Sequence, residues 1–537
     1  MEPSSPQAQK MDDVWSWLTL LPSPSDWPSS PPSLPLAASA DRSILLSADR
    51  TAGSNAEALA TFSISLHGFP HPSNPVSTIW VSEPFPLTSP SSSRILLLLQ
   101  LLHEVISLSP STSFLHFDTA SIKLDMVRIS DAIAGAGDEA AVFFALALLL
   151  RLFWLCAYDA PADAGFLFFR SLGPALERAL DCRWALRGFL LAAGPDAEER
   201  FVRSLGYMLA KWCLLRELQP GAGRRLPATC CPSYAAEAHG LWVLKGFAPV
   251  SAMAPVGTAS LGTNLEAKGS VLRYALAHQQ LEAVVQLEYT VCLRDPRFIK
   301  IGVRVDNIRL HVVGLRFGRR NEEEESDGVE DERHFPSRVR LWVGPEAGAA
   351  YAIGPSLGRS SGNPEREVET VRTITGRFGG ARSKAPGIKA KARTSARSRG
   401  RSWRWEQEAE GGAGVFDGVL CDASTGAEVA GWRPARGGGG GGGGDPRGGM
   451  RRRYSGSGRA FSKAGGVVVA GDELAEGVSW RVGREMEGRV VRWRVGGRVW
   501  VSYFPNEVKT SYYETRSVEW REEVELALVA GGESTRA

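Results

Sequence analysis

The feature that most constrains the fold is the alternation in the last seventy residues, where RVVRWRV, GRVWVSYFP and YYETRSVEWREEVELAL follow one another as strand-length segments. Val491, Trp493 and Val495 alternate with Arg492 and Arg494. That period of two places apolar groups on one face of a sheet and charge on the other. The back of the chain is therefore expected to be antiparallel, with one face wetted. Parity also sets a question further along, because Trp500 and Phe504 fall opposite to Val499, Val501 and Tyr503. One of these two sets must face outward or be covered by another part of the protein.

Upstream the grammar differs. RILLLLQLLHEVISL, DEAAVFFALALLLRLFWLCAYD, GFLFFRSLGPALERALDCRWALRGFLLAA and AEERFVRSLGYMLAKWCLLREL have helical length and apolar residues all round, with Gly, Pro or acids at their boundaries. Residues from about 90 to 220 read as a helical bundle. ALATFSISLHGFP and VSTIWVSEPF, ahead of it, read as a small hairpin. From Leu241 short strands recur with polar turns, the pattern of an antiparallel sandwich or barrel. The expectation is an α+β protein, an N-terminal helical bundle with a small β-hairpin packed on a C-terminal antiparallel β-sandwich.

The boundaries follow from composition. A Pro/Ser leader covers 1–36, with DDVWSWLTLL as a short docking helix within it, and it lacks the basic and apolar regions of a signal peptide. A mainly helical domain covers 37–240, strands cover 241–531, and 532–537 is a tail. Three insertions near 319–333, 377–402 and 433–458 are acidic, basic and polyglycine respectively. None has the apolar content to order itself, and each is expected as a mobile loop.

HFPSRVRLWVGP, GNPEREVE, FSKAGGVVVAGDELAEGVSWRV and FPNEVKTSYYETRSVEW resemble segments of a land-plant family of uncharacterised proteins. The loops rich in Ala, Arg and Gly resemble those of grass members. The resemblance implies a helical front half and a β-rich back half, and implies no reaction.

At 537 residues and 43% hydrophobic content the chain holds at least two cores, and a net charge of +3 does not mark the whole molecule as a nucleic-acid binder. Seven cysteines without dense spacing, and no N-x-S/T sequon, favour a reducing compartment. The location expected is cytoplasmic or nuclear. Membrane association stays open, because 140–158 is long enough to span a bilayer, although Arg151 inside it costs about 2.5 to 3.5 kcal/mol near the centre.

Each candidate motif lacks a part. Gly135, Gly137 and Ala140 fit a dinucleotide fingerprint with Asp159 downstream, but a strand must precede them, and a glycine-rich turn explains the same letters. Gly358, Ser360 and Gly362 fit a nucleophile elbow, but the last histidine in the chain is His334, upstream of it. Cys213, Cys230, Cys231 and His239 lack zinc spacing. His103, beside Glu104, reads as a core or capping residue. Neither a cofactor nor a metal is expected. Asp472 and Glu473 near Trp480 are the carboxylates an unrecognised enzyme site would use.

Two interaction candidates remain. Trp500, Phe504, Tyr512 and Trp520 form a candidate aromatic surface for a protein partner, with burial against the helices as the alternative. Lys384, Lys389, Lys391, Arg393, Arg397, Arg399 and Arg401 form a candidate import signal or polyanion segment.

Overall fold

The computed structural model describes residues 13–22, 26–52, 58–69, 76–86, 90–109, 124–218, 231–256, 279–314, 334–358, 366–378, 388–400, 403–420, 466–470, 477–503 and 514–529. Helix α1 (Asp13–Thr19) comes first, and five strands follow it: β1 (Ser33–Ala38), β2 (Ser43–Ala52), β3 (Ala58–His67), β4 (Val76–Val81) and β5 (Phe85–Pro86). Six helices come next: α2 (Pro90–Ser107), α3 (Met126–Ala134), α4 (Glu139–Tyr158), α5 (Ala162–Ala179), α6 (Arg183–Ala193) and α7 (Pro195–Leu218).

This corrects the expected fold class. The front of the chain is not a helical bundle carrying a hairpin and laid on a sandwich. Strands β1 to β5 pair antiparallel as a five-stranded sheet, and a helix precedes them. The sheet shares one apolar core with the helices: Ile44, Leu46, Phe62 and Ile64 bury with Leu98, Leu102, Phe144 and Leu148. Alternation decides this, since Ile44, Leu46 and Ala48 of β2 and Ala60, Phe62, Ile64 and Leu66 of β3, each two residues apart, are buried. The expected hairpin corresponds to β3 and β4; β1 and β2 were not expected, their apolar positions being interspersed with Ser43, Ser47, Asp49 and Arg50. Helix α1 docks on the same core, with Trp15 at 5.4 Å from the Phe144 ring and the Arg94 guanidinium 4.5 Å from the Trp15 ring.

Helix α4 is apolar all round because other elements surround it. It is the one described helix long and apolar enough to cross a membrane, yet 83% of that window is buried inside the protein. Its aromatic face locks to α6 and α7 through Phe143, Phe189 and Phe201, with centroids 5.3 Å and 4.9 Å apart for Phe143–Phe189 and Phe189–Phe201. Arg151 is paired with Glu104 of α2, which also accepts the Trp80 indole N–H at 2.9 Å and the Gln100 amide at 2.7 Å. His103 is exposed, so Glu104 is the member of that pair that enters the core.

The remaining strands are β6 (Ser233–Ala238), β7 (Leu241–Pro249), β8 (Ala254–Pro255), β9 (Gln279–Cys292), β10 (Phe298–Gly314), β11 (Phe335–Pro345), β12 (Ala352–Leu357), β13 (Arg366–Phe378), β14 (Ile388–Gly400), β15 (Trp403–Glu410), β16 (Ala413–Leu420), β17 (Gly466–Ala470), β18 (Gly477–Gly483), β19 (Val490–Tyr503) and β20 (Glu514–Ala527). Among the described residues they form a seven-stranded sheet ordered β12-β18-β10-β9-β7-β6, with β17 also on β10, and a six-stranded sheet ordered β15-β16-β11-β19-β20-β8. Strands β13 and β14 pair only with each other. The two large sheets share a core containing Trp242, Leu287, Ile301 and Trp480 from the first, and Leu341, Phe416, Trp493 and Trp520 from the second. Glycine permits one close approach here, since a Cβ on Gly246 would lie 2.5 Å from the Trp520 ring.

A polar seam joins the helices to the seven-stranded sheet. Glu198 of α7 accepts the Tyr234 hydroxyl and the Lys245 ammonium, the latter at 2.8 Å and 3.0 Å to its two oxygens. Arg203 reaches Glu282 at 3.3 Å. Burial raises the Glu282 carboxyl above its ordinary range, and Arg203 opposes that rise. Helix α7 therefore meets β7 and β9.

Candidate interaction surface on the six-stranded sheet

In β11 and β19 alternation separates two faces. Val339, Leu341, Val343, Val495, Val499 and Val501 are buried in the shared core. The opposite parity brings Arg338 across from Trp500, Arg340 from Arg498 and Trp342 from Gly496, on the outer face. Trp500 is half-buried there. It lies between two guanidinium groups, Arg338 at 5.2 Å and Arg498 at 4.9 Å from its ring centroid. Each such contact contributes about 0.5 to 1 kcal/mol at an exposed site, and more when water is excluded.

The two arginines differ in their partners. Arg338 is held by both oxygens of Asp417, with Nε to Oδ1 at 3.0 Å. Arg498 donates to the neutral Ser517 hydroxyl at 3.2 Å. Arg340, beside it across the strands, reaches Glu408 at 3.4 Å and Glu410 at 3.2 Å on β15. A half-exposed indole with one neutralised cation and one carried by a hydroxyl can accept an aromatic or carboxylate group from outside. Tryptophan and arginine are the residues most concentrated at the energetic centres of protein interfaces.

The structure divides the aromatic set predicted from sequence. Trp500 is on the outer face, whereas Trp520 pairs opposite Gly497 on the inner face and is 4% exposed in the core against Gly246. Phe504 and Tyr512 lie outside the described residues, as do Lys384, Arg401, Asp472 and Glu473. Lys389, Lys391, Arg393, Arg397 and Arg399 fall on β14, a strand within the segment expected as a loop. Sequence reasoning missed Arg338 and Arg498. The R-x-W spacing of Arg498 and Trp500 was the signal for one, since residues two apart share a face.

At the end of the same sheet a hydroxyl chain runs Ser337–Ser502–Thr515, with oxygens 2.8 Å and 2.9 Å apart. Nearby, Gln279 Oε1 accepts the His334 backbone N–H at 2.9 Å and lies 3.1 Å from His334 Nδ1, so Nδ1 carries the ring proton. Burial, with Arg516 adding repulsion, lowers His334 from 6.5 to about 3. The sign follows directly. Above pH 6.5 both states hold a neutral ring. As pH falls below it the unfolded chain takes a proton that the folded chain refuses, until pH reaches about 3. His334 should therefore cost about 2 to 3 kcal/mol of stability on going from pH 6.5 to pH 4.5. Denaturant titrations across this window check it, and His334→Asn should flatten the slope; an unchanged slope would assign the loss to other groups.

The other motifs have structural explanations. Helix α3, not a strand, precedes Gly135 and Gly137, and Gly137 sits at φ +59° in the turn into α4. Asp159 caps the end of α4. Ser360, Gly362 and Cys230 lie outside the described residues. Among the described residues no group of three His, Cys, Asp or Glu side chains is placed to hold a metal. Burial pushes the Cys156 and Cys182 thiols up to about 12, which keeps them protonated and unreactive at neutral pH.

No protein-family model matches the chain, and no curated protein matches it. Among solved structures it is similar to the Clostridium perfringens NetB toxin in its membrane-inserted form, at 8% identity over 45% of this chain and 88% of that one, with a TM-score of 0.19. It is similar to Clostridium perfringens delta-toxin at 9% identity over 55% and 96%, with a TM-score of 0.22. A pore forming protein gives 10% identity over 55% and 94%, with a TM-score of 0.20. Likenesses at these scores carry no argument about this chain.

Proposed function

We propose that the protein is a non-enzymatic, intracellular interaction module that binds a protein partner through the outer face of its six-stranded sheet. The observation that carries this reading is the Arg338–Trp500–Arg498 stack. It offers a flat apolar surface with a cation whose own hydrogen bond is to a hydroxyl. The partner it suits presents an acidic segment containing an aromatic residue. A role anchored in lipid by 140–158 has less support, because α4 would have to leave its own core first.

Trp500→Ala and Arg498→Glu test the reading. Each should keep the thermal midpoint within a few degrees, because both positions are at the surface. Each should also lower capture of the partners that the wild-type protein retains from native extract by at least tenfold, as loss of an interface centre does. Equal capture by wild type and both variants would remove this surface from the function.

A further inference from the structure

We propose that the outer face of the seven-stranded sheet, at the end away from helix α7, binds a partner-protein segment carrying a phosphoserine or phosphothreonine, with the phosphate held between Lys300 and Arg481. The inference is independent of the Trp500 surface, which lies on the other large sheet. Ile299, Ile301 and Val303 of β10, with Trp480 and Val482 of β18, enter the core shared by the two sheets. Lys300, Arg304 and Arg481 alternate with them, so they lie on the outer face, and all three are exposed. Helix α7 covers that face at its far end, where Arg203 meets Glu282.

Register brings two cations together. Lys300 stands directly opposite Arg481, with Cys292 of β9 beyond Lys300 and Ile353 of β12 beyond Arg481. Like charges directly opposite one another on a sheet are destabilising, and this row of four holds no acid to offset them. The neighbouring carboxylates are engaged elsewhere: Glu288 pairs with Arg304, Asp295 with Arg297 at 3.5 Å, and Glu485 lies over Gly483. Among the described residues neither Lys300 nor Arg481 forms an ion pair.

The site is also oriented and open. The Arg481 guanidinium lies 4.9 Å from the Phe298 ring centroid, a contact that holds it over the sheet face. The next row along the strands runs Thr290, Gly302, Ser479 and Ser356, three hydroxyls around one position without a side chain. A Cβ on Gly302 would lie 2.9 Å from Thr290 Oγ1. Glycine inside a strand is found where a ligand or another backbone approaches closely.

Charge and spacing select the ligand. Two cations beside hydroxyl donors match a phosphate monoester, which carries about −1.5 to −2 charge and three strong acceptor oxygens. Neighbouring strands are about 4.8 Å apart, which puts Ile353 about 7 Å from the midpoint of Lys300 and Arg481. Alternate residues of an extended peptide are spaced by about the same distance. A peptide crossing the strands with its phosphate between the cations therefore sets the side chain two residues away on Ile353, which is 74% exposed. An anionic bilayer suits the site less well, because Glu288, Asp295 and Glu485 border the two cations and repel a continuous negative surface.

The test uses the full chain and a labelled nonapeptide of Gly and Ser with a central phosphoserine and isoleucine two positions to either side, read by fluorescence anisotropy. It should bind about tenfold more tightly than its unphosphorylated form, as one charge-assisted hydrogen bond supplies. Lys300→Gln with Arg481→Gln should abolish that difference and keep the thermal midpoint within a few degrees, because both positions are exposed. Lys300→Arg should retain the difference. Ile353→Ser should weaken the phosphorylated peptide about threefold and leave its preference for phosphate intact. Trp500→Ala should bind the peptide as wild type does, which separates failure of this proposal from failure of the interaction surface. Equal affinity for the two peptides, a double glutamine variant that binds like wild type, or competition by inorganic phosphate at the peptide's own concentration would each overturn the assignment. So would tighter binding to phosphatidylinositol phosphate vesicles than to the peptide, which would make a lipid headgroup the ligand.

Discussion

Glu104→Ala is expected to destabilise the helical part of the protein by about 3 to 5 kcal/mol, the cost of leaving one member of a largely buried ion pair without its partner. Glu104 receives three donors, from Arg151, Trp80 and Gln100, and Arg151 projects from a helix whose other surfaces are hydrocarbon. Removing the carboxylate leaves the guanidinium in a medium that solvates it poorly. Glu104→Gln should cost less, because it keeps an acceptor for the indole N–H. The informative control is Glu104→Leu with Arg151→Met. Exchanging a buried pair for apolar residues of similar volume is often neutral or stabilising, so the double variant should recover most of the loss. Urea unfolding of the four proteins measures this, and a double variant no more stable than Glu104→Ala would show that the charges are not the source of the cost.

Trp493→Ala is expected to cost a further about 3 to 5 kcal/mol, this time in the core between the two large sheets. Trp493 is fully buried, edge-on to Trp480 at 4.7 Å and 6.0 Å from Trp242, which stacks on Tyr289 at 4.4 Å. Truncation opens a cavity in the middle of this aromatic row. Trp493→Phe should be far milder, because the Trp493 indole N–H has no hydrogen-bond partner and only volume is lost. Amide hydrogen exchange gives the regional readout. Protection should fall in β7, β18 and β19 and persist in α4; uniform loss along the chain would mean that the two cores unfold as one unit.

The strand grammar at the back of the chain was legible because each strand there has one dry face. Val491, Trp493 and Val495 bury while Arg492 and Arg494 are exposed, as their alternation requires. The same rule settles Trp500. It stands seven residues from Trp493, an odd interval, and so lies on the opposite face. What the sequence did not show was pairing across distance. Glu104 and Arg151 are 47 residues apart, and nothing local links them. Strands β1 and β2 were obscured by interspersed polar residues such as Ser43, Ser47 and Asp49, and β14 by a composition of Ala, Ser, Lys and Arg in which Ile388 and Thr394 alone are β-branched. Its period of two was present in Lys389, Lys391 and Arg393. Charge density hid it.

Strand β20 is flanked by β19 on one side and by β8 on the other, where Ser517 pairs with Ala254. At roughly 5 to 20 residues per second, a ribosome needs tens of seconds to travel between those two positions. For that interval the apolar face of β7, including Gly246, has no Trp520 to cover it. The six-stranded sheet is therefore completed late in synthesis, when β20 emerges.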